Sequence, residues 1–168
     1  HIGDVSVWSK LFPAKVIGTT RFREGVLNED LLFMLDILPK VSKIAFTGKV
    51  GYYYLCRANS ISSKYGKSIE DMVLNSIEVR DRLILLYPVI TQECNRFVLF
   101  QHMAYLLLVP KDLRTRNNTL YSNAKSYVRN HFFAEGLCNR YLTTRDKLIL
   151  LSQVFIPGFV ASMYQRKH

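Results

Sequence analysis

The spacing of apolar and polar positions divides the chain into a short mixed region and a long helical one. From Ser68 onward the apolar residues recur at helical intervals. Ile69, Met72, Val73, Ile77, Leu83 and Ile84 predict a helix to about Tyr87, ended by Pro88. Thr91 opens a second helix to Val109, before Pro110, and residues 117 to 133 form a third with Gly136 as its stop. Thr143 or Thr144 opens a fourth that Pro157-Gly158 bends or breaks. The short connections predict antiparallel neighbours. Earlier in the chain, Val5, Val7 and Leu11 suggest a short strand, and Pro13, Gly18 and Gly25 mark a loop over 13 to 27. Leu31, Leu32, Leu35 and Leu38 predict a helix over 29 to 38, stopped by Pro39. Lys43-Ile44-Ala45-Phe46 and Tyr52-Tyr53-Tyr54-Leu55-Cys56-Arg57 read as strands around a turn at Gly48 and Gly51. The predicted class is α+β, mostly α: short strands plus a helix over 1–63, then a C-terminal helical bundle of about four helices over 64–168.

Composition supports a folded chain with a real core, since 49% of the 168 residues are hydrophobic and 21% charged. Charge adds a second asymmetry. The net charge is +10, with 8 basic against 5 acidic residues in 1–63 and 15 against 8 in 64–168. The basic residues are spread among long aliphatics, which favours contact with a membrane surface over nucleic acid. No apolar run reaches the length of a transmembrane helix; Phe97 to Val109 is the best candidate, and Gln101 and His102 interrupt it. No signal peptide is evident, so the expected location is cytoplasmic, with peripheral attachment at the inner face of the plasma membrane. Cys56, Cys94 and Cys138 have neither zinc nor disulfide spacing. His102 lies in an apolar helix and reads as a satisfied buried histidine, and His131 has no ligand-spaced partner.

Chemistry concentrates where Asn28 precedes Glu29 and Asp30 at the start of the first long helix. Asn28 is suited to an N-cap, and the partial positive charge of the helix end attracts the two carboxylates. A carboxylate held there can accept a proton or a hydrogen bond. The same acids could serve only to complement the helix dipole.

Four blocks surround this pair in order: Trp8 with Lys10 and Leu11; Arg21-Phe22-Arg23-Glu24-Gly25; Glu29-Asp30 with Phe33; and Tyr52-Tyr53-Tyr54 followed by Arg57, Ser60 and Ile61. Together they resemble the second half of the catalytic domain of family-two glycosyltransferases of the GT-A fold. Such bacterial enzymes build capsular, exopolysaccharide and lipopolysaccharide chains. The resemblance covers about residues 5 to 63. Ser9 stands where many relatives carry Asn, and Leu55 where many carry a further Arg, leaving Arg57 as the one candidate for the diphosphate.

The resemblance implies inverting transfer of a sugar from a nucleotide-sugar donor to the hydroxyl of a saccharide or lipid-linked acceptor. It makes Asp30 the general base and Glu29 the residue that orients the acceptor or its loop. Trp8 and Lys10 would contact substrate, and Arg57 would neutralise the departing diphosphate. A divalent metal, Mg or Mn, is implied for the complete enzyme. Its ligands are not in this chain, which has no Asp-x-Asp and no Gly-rich phosphate loop before Trp8. The chain therefore reads as an acceptor-side half, inactive alone, whose nucleotide-binding half is missing. The rival reading is a non-catalytic helical membrane- or partner-binding module. A hydrolase is weaker, because no second carboxylate stands at suitable spacing.

Overall fold

The helix that runs through the middle of the C-terminal part, α4 (Thr91–Leu108), is apolar on nearly every side, and that determines its place. Cys94, Val98, Leu99, His102, Met103, Tyr105, Leu106 and Leu107 are all buried, so the helix needs neighbours all round. In the computed structural model, which describes residues 6–53, 55 and 65–167, it has them. Around it pack α3 (Lys67–Leu86), α5 (Thr119–Asn130), a π-helical segment (Phe132–Leu137), α6 (Thr144–Phe155) and α7 (Pro157–Lys167). The core they share contains Val73, Leu99, Met103, Tyr105, Leu106, Val109, Val128 and Leu150.

Local sequence explains most of the boundaries. Pro88 lies in the one-turn 3-10 helix Pro88–Ile90 between α3 and α4, and Thr143 caps α6 through a reciprocal pair with Asp146. Thr91 is the first residue of α4 rather than its cap, and its hydroxyl donates to the Pro88 carbonyl at 2.6 Å. The last carbonyls of α4 are satisfied from elsewhere. Gln165 Nε2 donates to Leu107 O at 3.0 Å and to Val109 O at 2.9 Å, and Arg114 Nε reaches Val109 O at 3.0 Å. Midway along, buried Gln153 donates to Met103 O at 2.7 Å. The third predicted helix is interrupted after Asn130. His131 O accepts from both Glu135 N (3.2 Å) and Gly136 N (3.0 Å), the signature of a π turn.

The chain divides into two compact units, His1–Lys64 and Tyr65–His168. The first is organised on α2 (Glu29–Ile37), which continues into a 3-10 turn at Leu38–Lys40 where Pro39 falls. Leu31, Leu32, Phe33, Leu35 and Ile37 are buried. Before it lie the 3-10 turn Val7–Ser9 and the single-turn helix α1 (Ala14–Ile17).

The α+β expectation is corrected here, because there is no strand among the described residues. Val7 stands in a 3-10 turn, and Leu11 is wholly exposed instead of facing a core. Lys43 to Phe46 and residues 52, 53 and 55 form no ladder and are exposed. Their β-branched and aromatic side chains suit a strand, but a strand also needs a hydrogen-bonded neighbour, and among the described residues these segments have none. The sheet of a GT-A half is thus not seen there. Val5, Tyr54, Cys56 and Arg57 lie outside the described residues.

Candidate functional site

Asn28 starts the local geometry with a left-handed backbone (φ 59°, ψ 35°), a conformation Asn tolerates better than most residues, so the chain turns sharply into α2. Gly25 prepares that turn with φ 73°. Glu29 and Asp30 follow as the first two residues of α2, both half-buried. Asp30 Oδ2 accepts a hydrogen bond from the backbone N–H of Val7 at 3.1 Å, across 23 residues of chain. The carboxylate thereby ties the Trp8 segment to the helix end.

Trp8 remains 42% exposed, and its ring lies against Tyr52 with centroids 4.5 Å apart at 33°. Phe22 stacks on Phe33 at 4.4 Å and 21°, and Phe12 meets the same ring edge-on at 6.1 Å. Each of the four sequence blocks therefore touches another: the Trp8 block meets Asp30 and Tyr52, and the Arg21–Gly25 block meets Phe33. Lys10 is bonded within its own turn. Its Nζ donates to Ser6 O at 2.6 Å and to Ser9 Oγ at 3.2 Å, closing its own turn. Arg21 Nη1 is likewise turned onto the carbonyls of Gly18 (2.9 Å) and Thr20 (2.8 Å). Arg57 lies outside the described residues. No three His, Cys, Asp or Glu side chains converge among the described residues in a way that could hold a metal. Sequence reasoning missed Tyr52 as the partner of Trp8, although it stands in the quoted tyrosine run.

The second unit holds one dense cluster of titratable groups that the sequence did not announce. The Tyr127 ring is stacked between His102 (4.1 Å, 19°) and His131 (3.9 Å, 16°). Arg80 Nη1 donates to the Tyr127 hydroxyl at 2.8 Å, and that hydroxyl donates to Glu135 Oε2 at 3.2 Å. Burial, reinforced by the Glu135 charge, pushes the Tyr127 phenol well above its ordinary range. Burial also lowers the His102 pKa, despite the 2.8 Å contact of its Nδ1 with Val98 O, and the nearby His131 and Arg80 act in the same direction. Because Arg80, Tyr127 and Glu135 satisfy one another, the cluster works as a polar joint linking α3, α5 and the π segment. His102 is the satisfied buried histidine that its apolar setting predicts. Cys94 is buried and Cys138 exposed, both as free thiols.

Comparison of the chain with family models, with curated proteins and with solved structures found no match.

Proposed function

We propose that this chain is the acceptor-side part of an inverting glycosyltransferase. It would act in bacterial cell-surface polysaccharide synthesis, moving a sugar from a nucleotide-sugar donor to the hydroxyl of a saccharide or lipid-linked acceptor. The observation that carries the reading is the meeting of four blocks, scattered over residues 8 to 53, around one helix end. Asp30 is the general base: it takes the acceptor proton as that oxygen attacks the anomeric carbon. Glu29, beside it in the same helical turn, orients the acceptor or the neighbouring loop. The exposed Trp8–Tyr52 pair supplies an aromatic face against which a flat sugar or base can lie. Arg57 is assigned to the departing diphosphate. Lys10, folded onto its own turn, takes a supporting part in holding the Trp8 segment. A divalent metal, Mg or Mn, belongs to the donor side of the complete enzyme, with ligands outside this chain. The second unit attaches the enzyme peripherally at the inner face of the plasma membrane. No helix among the described residues is long and apolar enough to cross a membrane, and this unit carries most of the positive charge.

A second reading has its own observation. Asp30 holds Val7 N–H, so its role could be to fasten the Trp8 segment in a non-catalytic module. Asp30→Asn separates the two. The amide oxygen of Asn can still accept from Val7 N–H, so the fastening survives, but Asn cannot take a proton. Transfer by the complete gene product across a panel of nucleotide sugars should fall by about two to four orders of magnitude in kcat, with the melting temperature unchanged. Unchanged transfer would favour the module.

A further inference from the structure

The turn joining α3 to α4 carries five successive apolar residues at the surface. Leu85 is 82% exposed, Leu86 44%, Tyr87 36% and Val89 88%, with exposed Pro88 between the last two. Such a tip is costly to leave in water, and no charged side chain interrupts it. What surrounds it is basic. Asn139 Nδ2 donates to Gln92 O at 2.9 Å, which brings the loop bearing Arg140 and Tyr141 beside the start of α4. The Arg140 guanidinium lies 4.8 Å from the Tyr141 ring centroid. The 3.9 Å approach of Arg96 to Asp146 brings the first turn of α6, with exposed Arg145, to the same end. The acids there are already engaged. Asp81 is paired with Arg80 at 2.8 Å, Tyr141 and the Arg140 charge hold the Glu93 carboxyl below its ordinary range, and Asp146 belongs to the Thr143 capping box.

We infer that the Leu85–Val89 tip inserts into the interface of an anionic lipid bilayer while Arg140 and Arg145 bind its phosphates. A short apolar wedge with an aromatic and arginines at its base matches a headgroup boundary, where apolar side chains enter and guanidiniums remain at the phosphates. The tip gives a place to the peripheral attachment proposed above and rests on that part of the reading; it does not depend on sugar transfer.

The test is sedimentation of the full chain with phosphatidylcholine vesicles, with and without phosphatidylserine, at low and high salt. Wild type should bind only the phosphatidylserine vesicles, and salt should weaken binding. Leu85→Ser with Val89→Ser should reduce binding at least tenfold. Arg140→Gln and Arg145→Gln should each reduce it about fivefold. All four positions are exposed, and unchanged helical circular dichroism confirms that the variants fold. Phe155→Ser with Ile156→Ser, exposed at the end of α6, is the control and should bind as wild type does. If that control loses binding while the Leu85/Val89 variant keeps it, the tip is overturned but peripheral attachment stands. If wild type stays in the supernatant with every vesicle, both fall, and the tip is left to a protein partner.

Discussion

Gly136 sits in the π-helical segment where a methyl group has no room. A Cβ built there would come within 2.3 Å of Leu150 Cδ2 and 3.5 Å of Leu99 Cδ2. Ordinary contact between carbons lies near 3.5 to 4 Å, so Gly136→Ala requires the Leu150 methyl to retreat by more than about 1 Å. Leu150 and Leu99 are both fully buried, so neither side chain can swing into solvent. Overpacking of this kind costs about 1–3 kcal/mol, against which the stiffer unfolded chain of the alanine variant returns about 0.4–1 kcal/mol. The net expectation is a loss of about 1–2 kcal/mol, or a fall in Tm of roughly 4–16 °C for a unit of this size. Far-UV circular dichroism during urea and thermal unfolding reads the helical unit, whereas Trp8, the one tryptophan, reads the first unit by fluorescence. The decisive step is a double-mutant cycle. Leu150→Ala alone should cost about 2–5 kcal/mol, and the methyl that Gly136→Ala introduces should partly fill the space it leaves. The double variant should then be more stable than the sum of the single losses by at least about 0.5 kcal/mol. A Gly136→Ala variant within about 0.5 kcal/mol of wild type, with additive behaviour alongside Leu150→Ala, would refute the packing argument.

Two further outcomes follow from particular groups. Burial holds His102 neutral in the folded protein, so the unfolded chain binds more protons as pH falls below about 6.5. Stability should therefore decline from there until His102 protonates in the fold as well. His102→Phe, which keeps a ring on Tyr127, should flatten that decline in urea titrations at stepped pH, and parallel wild-type and variant curves would contradict it. If the chain is the acceptor-side part proposed above, isothermal titration of a nucleotide sugar into it alone should show no tight, metal-dependent binding. Tight binding that vanishes with chelator would count against the division of labour proposed here.

The helical second unit could be read from the sequence because its signals are local. Pro88, Pro110 and Thr143 act within a turn of where they stand. The face of α3 was less legible: of its apolar positions read from spacing only Val73 is fully buried, beside Val79 and the polar Ser68, Asp71, Asn75 and Ser76. The strands expected at 43–46 and, among the described residues, at 52, 53 and 55 are not seen, for the opposite reason. Ile44, Phe46 and Tyr52 report an ability to pair, but pairing depends on a partner elsewhere that the residues themselves do not specify. The π segment was also illegible: the sequence reads Gly136 as a plain helix stop, whereas it lies within the segment and close against Leu150. The acid pair and Trp8 stand out as candidates from their place at a helix start and from a resemblance to a family. The hydrogen bond from Val7 to Asp30 and the stack of His102, Tyr127 and His131 join distant positions, and no local pattern encodes them.

The most direct test of the central claim is transfer by the complete gene product, wild type against Asp30→Asn, with an unfolding curve on each. The account predicts a loss of about two to four orders of magnitude in kcat at unaltered stability, because the Val7 hydrogen bond survives and the base does not. Equal turnover by the two proteins, or loss of activity only in step with loss of fold, would contradict it.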